Sequence, residues 1–191
     1  MYRLFLGKVS RLSHGELPSA VIACAPRGPN RASWLAGRAL LCRAVSPVPE
    51  IIYAEHGKPA FAAGTPLWFN LSHSGDDIAL LLSDEGEVGC DIEVIRARKN
   101  WPTLVESLFC PAEQAQIAAE APERQLAAFW RIWTRKEAII KQRGGSVWQM
   151  ATVDSTRHHG GFVTDAQPDG LSIAICTPTP CSLQDLIALA E

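Results

Sequence analysis

Three carboxylates carry the chemistry legible in this chain. Asp91 and Glu93 stand two apart in Val88-Gly89-Cys90-Asp91-Ile92-Glu93-Val94, and Glu137 ends the tryptophan-rich run Trp130-Arg131-Ile132-Trp133-Thr134-Arg135-Lys136-Glu137. In the first segment Val88, Cys90, Ile92 and Val94 alternate with Glu87, Gly89, Asp91 and Glu93. A strand of that period buries its apolar members and sets Asp91 and Glu93 side by side on the other face. Same-face strand neighbours lie roughly 6–7 Å apart, a spacing that one hard cation bridges. Without a cation, two like charges so close only repel. The plain alternative is a solvated acidic strand end, and the rest of the sequence has to choose between the two.

Trp133, Glu137 and Lys141 fall at i, i+4 and i+8 and share one helix face, with Lys136 one step round. Glu137 and Lys141 could form only a surface ion pair worth a few tenths of a kcal/mol, about 0.2–0.5. The other reading makes Glu137 a third metal ligand and Lys141 a cation for phosphate oxygens. In Asn70-Leu71-Ser72-His73-Ser74-Gly75, Ser72 and His73 are adjacent, so on a strand they point to opposite faces, and no G-x-S-x-G elbow is present. A small hydroxyl, an imidazole and backbone N–H groups at a strand end suit an anion rather than a serine nucleophile. His158-His159 reads as solvated loop. Together the residues describe Asp91, Glu93 and Glu137 for Mg²⁺, with Lys136, Lys141, Arg38, Lys58 and His73 for phosphates. That set implies phosphoryl or phosphodiester transfer, in which positioning and charge neutralisation do most of the work.

The elements that must hold these residues follow from periodicity and turn residues. A short strand is expected at the N-terminus up to Lys8, then a helix over Arg31–Ala44 ended by Pro47 and Pro49. Gly57-Lys58-Pro59 reads as a turn. Leu67-Trp68-Phe69-Asn70-Leu71 and Ile78-Ala79-Leu80-Leu81-Leu82 read as strands, with Asp84-Glu85-Gly86 closing a hairpin into the acidic strand. Helices are then expected from about Ala112 to Ala121 and from Pro122 to about Gln142, stopped by Gly144-Gly145. Strands follow near Val147–Asp154, Gly161–Thr164 and Leu171–Cys176. Helix then strands, twice over, predicts an α+β fold of two similar halves, 1–86 and 87–191, in pseudo-twofold arrangement with a ligand site at the seam.

Composition sets the frame. A chain of 191 residues holds one good-sized core, or two small halves sharing one. With 47% hydrophobic and 20% charged residues the composition is ordinary for a globular protein and argues against disorder, and a net charge of −2 argues against wholesale binding to nucleic acid or anionic membrane. The N-terminal apolar stretch is too short for a signal peptide, and no run approaches the ~18 residues of a spanning helix. Six cysteines without CxxC or Cys/His spacing read as reduced, mostly buried thiols in a cytoplasmic protein.

At these residues the sequence resembles the 4′-phosphopantetheinyl transferases of the Sfp/AcpT group. The likeness covers Gly57-Lys58-Pro59, Phe69-Asn70-Leu71-Ser72-His73-Ser74, Val88-Gly89-Cys90-Asp91-Ile92-Glu93 and Trp133-Thr134-Arg135-Lys136-Glu137-Ala138 through Lys141. Cys90 departs from the β-branched residue frequent there. The resemblance implies transfer of the 4′-phosphopantetheine arm of coenzyme A to a serine of an apo acyl carrier protein, leaving adenosine 3′,5′-bisphosphate, in the service of fatty acid biosynthesis. It implies Mg²⁺ on Asp91, Glu93 and Glu137, with Glu137 taking the serine proton and Lys141 and Lys136 neutralising the departing phosphate. Ser72, His73 and Arg38 would contact the adenosine end, His73 at the 3′-phosphate, with Lys58 nearby and Arg31 a weaker candidate. Both halves of the site lie on one chain, so a monomer is expected. Two rivals remain: a metal-dependent nuclease, whose E-x-K is broken by Ile95, and a non-catalytic carrier binder, which has no use for a third carboxylate on a second element. The basic stretch Ile95-Arg96-Ala97-Arg98-Lys99-Asn100-Trp101 reads as either a solvated loop or a surface that steers an acidic carrier.

Overall fold

A computed structural model of the protein describes residues 1–54 and 57–190. In chain order these form β1 (Tyr2–Lys8), α1 (Val9–Leu12), α2 (Ser19–Ala23), α3 (Arg31–Ala44), β2 (Ile51–Tyr53), β3 (Pro59–Phe61), β4 (Trp68–Ser74), β5 (Asp77–Ser83) and β6 (Gly89–Val94). Then follow α4 (Trp101–Leu108), α5 (Pro111–Ala118), α6 (Pro122–Gln142), a 3₁₀ turn over Val147–Thr152, β7 (Phe162–Ala166), β8 (Leu171–Thr177) and α7 (Leu183–Ala190). Pro122 starts α6 at the position where a missing N–H costs nothing. Gly144, at φ +68°, reverses the chain just past its end.

Two three-stranded antiparallel sheets, ordered β1-β5-β4 and β6-β8-β7, lie between α3 and α6. The sequence of β5 explains the layering. Ile78, Leu80 and Leu82 pack toward α3 with Leu40 and Leu41, while Ala79 and Leu81 face the second sheet with Cys90, Ile92, Ile173 and Ile175. A strand buried on both faces reads as an unbroken apolar run, as β5 does. The far side of the second sheet, through Ala174 and Cys176, packs on Phe129, Trp130 and Ile139 of α6. Helix α7 returns to β1 and adds Leu183 and Leu186 to the central layer, so the two halves share one core. Among the described residues, no helix is long and apolar enough to cross a membrane.

Several expectations need correction. Asp84–Gly86 does not close a hairpin: β5 pairs with β1 and β4, and β6 pairs with β8, so the chain steps from one sheet to the other. Residues near 147–154 form a 3₁₀ turn instead of a strand, because Ser146 and Gln149 make a reciprocal capping box that tightens the chain. Helices α1, α2, α4 and α7 were not expected. Of these, α4 places Val105 in the core and packs Trp101 against Phe129 with ring centroids 5.9 Å apart, so Trp101 anchors that helix to the core beneath α6.

Candidate active site

The seam is where the edge strands β4 and β6 meet. Backbone ladders pair β4 with β5 and β6 with β8, and the facing N–H groups of β6 are satisfied by side chains. Asn70 Oδ1 accepts from the Cys90 N–H at 2.8 Å, Ser72 Oγ from Ile92 at 3.3 Å, and Ser74 Oγ from Val94 at 3.2 Å. On its other flank, β6 comes so near α6 that a Cβ on Gly89 would lie 1.9 Å from the Ala138 carbonyl oxygen. Strand β6 is thus clamped between β4 and the helix that carries Glu137 and Lys141.

The period of two in β6 works as expected. Val88, Cys90 and Ile92 sit in the central core, and burial pushes the Cys90 thiol up to about 12. Asp91, only 4% exposed, points the other way. Its Oδ1 accepts hydrogen bonds from Ser72 Oγ at 2.8 Å and Lys141 Nζ at 2.6 Å. Its Oδ2 is buried without a partner among the described residues. Glu93, partly buried, accepts from Ser74 Oγ, and its carboxyl is raised by desolvation and by Asp91. Glu137 rises to about 7, through desolvation first and then the charge of Asp91, with Lys141 opposing and Glu93 adding. Burial works to lower the Lys141 pKa, yet Asp91 and Glu137 outweigh it and leave it raised.

This donor set suits a hard divalent cation. All three groups offer oxygen, their charges repel one another, and a buried carboxylate oxygen lacks a hydrogen-bond donor. Among the described residues, the one trio of possible ligands whose atoms all lie within 4.8 Å of one another is a different one, Cys110, Glu113 and Asp154, and its centre is taken. Glu113 Oε2 receives Lys136 Nζ at 2.7 Å and the Cys110 N–H at 2.9 Å, and Oε1 receives the Ser155 N–H and Oγ, each at 2.7 Å.

That network corrects the expectation for Lys136. Its ammonium is fully buried, paired with Glu113, bonded to the Val153 carbonyl and 5.2 Å from the Phe109 ring centroid. It lies on the face of α6 turned to α5, one step round from Glu137, with its charge already matched by Glu113. Arg38, His73 and Ser72 do come together, lining a cavity of about 320 Å³ with Trp34 and Tyr53. The Arg38 guanidinium lies 4.5 Å from the Trp34 ring centroid and donates to the Tyr53 hydroxyl at 2.7 Å. His73 is exposed, its pKa lowered by partial burial and then by Lys141. Gly57 and Pro59 line the same cavity, while the Lys58 ammonium bonds Glu87 at 2.6 Å and the Val88 carbonyl at 3.3 Å. Arg31 is turned to its own loop, donating to Ala25 O at 3.2 Å.

The basic loop after β6 is partly committed. Trp130 Nε1 donates to Arg96 O at 3.0 Å, and the Arg98 guanidinium lies 4.9 Å from the Trp133 ring centroid, leaving Arg96 and Lys99 exposed. Asn70, Ser74 and Gly89 were not singled out from the sequence. Asn70-x-Ser72-x-Ser74 is a polar period of two on a strand, and that signal would have found the first two.

With this geometry in view, the family profile described as the 4′-phosphopantetheinyl transferase superfamily matches residues 87–176. The chain is 68% identical over 183 residues to a 4′-phosphopantetheinyl transferase AcpT of Salmonella typhi, covering 96% of this chain and 95% of that one. It is 64% identical over 183 residues to the protein of that description in Escherichia coli strain K12, with 96% and 94% covered. A 4′-phosphopantetheinyl transferase of Bacillus subtilis is 32% identical over 117 residues, which is 61% of this chain and 51% of its own length. The chain belongs to the 4′-phosphopantetheinyl transferase superfamily.

Proposed function

We infer that this protein moves the 4′-phosphopantetheine group of coenzyme A onto a serine hydroxyl of an apo acyl carrier protein or carrier domain, releasing adenosine 3′,5′-bisphosphate. The observation that carries the reading is the meeting of Asp91 and Glu93 on β6 with Glu137 and Lys141 on α6, beside the cavity of Arg38, Ser72 and His73. Asp91, Glu93 and Glu137 would hold Mg²⁺, which when bound supplies positive charge to the pyrophosphate oxygens.

Glu137 takes the proton from the attacking serine. Burial and the charge of Asp91 push this carboxyl up to about 7 in the ion-free site; a cation among the carboxylates would lower it and leave Glu137 ionised to accept that proton. Lys141 stays protonated and places its charge beside the phosphate that departs. His73 and Arg38 hold the 3′-phosphate, with Ser72 at the cavity wall and Gly57 and Pro59 at its rim. A neutral imidazole still donates one N–H to a phosphate oxygen, so the lowered pKa of His73 suits binding without a fixed charge.

The reading is of a monomeric cytoplasmic enzyme, active on neither nucleic acid nor membranes, with residues 1–86 and 87–191 as its two units. It is supported by a site drawn from both halves of one chain and by six free cysteines. Apo acyl carrier protein incubated with coenzyme A and Mg²⁺ should gain the mass of one phosphopantetheine group. An unchanged mass, with the carrier shown competent by another transferase, overturns the reading.

A further inference from the structure

The hydroxyls of Ser72 and Ser74 each do two things. Each accepts a backbone N–H from β6, and each donates to the carboxylate just before that N–H: Ser72 to Asp91 and Ser74 to Glu93. Asn70 makes the same kind of backbone bond, to the Cys90 N–H, but touches no carboxylate. The offset is constant at twenty residues, and all three side chains are at least nine-tenths buried. A hydroxyl has one hydrogen to give and two lone pairs to fill. With one lone pair of Ser74 held by Val94 N–H, its hydrogen is left for Glu93. For Ser72 the second lone pair also receives Lys141 Nζ, at 2.9 Å, so that hydroxyl is used in full.

We propose that Ser74 is a positioning residue for Glu93: its hydroxyl, oriented by the Val94 N–H, fixes the carboxylate in the attitude that binds the divalent cation. Glu93 is the acid of the three for which this matters most. Asp91 is held by Ser72 and Lys141 together, whereas Ser74 is the one side chain that donates to Glu93 among the described residues. Without it, a flexible carboxylate on a partly open strand end would sample several rotamers and lose entropy on binding. Groups that orient a metal ligand through one hydrogen bond typically govern affinity by about 10–100-fold.

This inference rests on Asp91, Glu93 and Glu137 holding Mg²⁺, and its test separates the two. Mg²⁺ binding to the full chain is measured by titration calorimetry without coenzyme A or carrier, alongside thermal melts. Ser74→Ala should weaken Mg²⁺ binding about 10-fold or more, and Ser74→Thr, which keeps the hydroxyl, should restore most of it. Asn70→Ala removes an equivalent seam bond without touching a carboxylate, so it should lower the melting temperature while leaving Mg²⁺ affinity within about twofold of wild type. If Ser74→Ala does not fold, Ser74→Cys, of similar size with a weak donor, should give an affinity between those of the threonine variant and the Ala expectation. Wild-type affinity in Ser74→Ala or Ser74→Cys overturns the proposal, as does an equal loss in Asn70→Ala. No Mg²⁺ binding by the wild type would instead overturn the metal assignment, and the proposal with it.

Discussion

Replacing Gly89 by alanine should damage this enzyme more than its position in a plain apolar strand suggests. The added Cβ would lie 1.9 Å from the Ala138 carbonyl oxygen and 2.5 Å from the Gln142 nitrogen, both backbone atoms of α6. No side-chain rotation relieves that overlap. To reach the 3.4 Å of an ordinary contact, β6 and α6 must part by about 1.5 Å at this point. Overpacking a well-filled core costs about 1–3 kcal/mol, and contact with backbone belongs at the upper end. The same movement separates Asp91 from Glu137 and Lys141, and misplacing a catalytic group by ~1 Å costs about 100-fold. Urea denaturation and single-turnover transfer to apo carrier protein read the two effects separately. The expected result is a loss of about 3 kcal/mol together with a fall of about 100-fold in the chemical step. A Gly89→Ala protein as stable as wild type would refute the close approach of strand and helix. Lowered stability with unchanged turnover would refute the claim that this approach sets the catalytic geometry.

Glu137→Gln should fold and be nearly inactive at saturating Mg²⁺, since shape is kept while charge and basicity go; near-normal turnover sinks its assignment. The raised Glu137 carboxyl contributes stability that is complete below about 4.5 and lost as pH rises through about 7. In metal-free buffer, melts at pH 5 and pH 8 should therefore show the Gln variant gaining on the wild type by on the order of 2 kcal/mol. An unchanged difference contradicts the shift. His73→Ala should lower kcat/KM for coenzyme A roughly 10- to 150-fold, mostly in KM, and leave 3′-dephospho-coenzyme A nearly unaffected; equal losses on both coenzymes rule out the 3′-phosphate role. Lys136→Met strands a buried Glu113 carboxylate and should cost about 3–5 kcal/mol in denaturant, much of it recovered by adding Glu113→Gln. A single variant of wild-type stability would show that the pair does not hold α5 to α6.

Much of the site was readable because its logic is local. The alternation in Val88–Val94 assigns Asp91 and Glu93 to one face wherever the strand lies, and the spacing of four puts Glu137 and Lys141 on one face of any helix. Helix α3 and the span of α6 were likewise legible, since Pro47, Pro122 and Gly144 punctuate the chain through backbone chemistry that needs no partner. The short helices and the step from β5 to β6 were not, because a turn sequence such as Asp84-Glu85-Gly86 permits a hairpin without requiring one.

Lys136 and Glu137 show where the division falls. Adjacent and both charged, they differ by one step of about 100° on the helix. The sequence says that they diverge, but not that one would meet Glu113 in a dry pocket and the other Asp91 at the seam. Which face of α6 meets which layer depends on how the two three-stranded sheets and the helices around them pack, a sum of contacts between residues far apart in the chain. The same is true of Ser72 and Ser74, whose hydroxyls acquire their roles only because two sheet edges meet in one register. By itself the sequence determined the chemical types of the site and their local spacing. The tertiary structure decided which charges are buried together, and so which of them are left for chemistry.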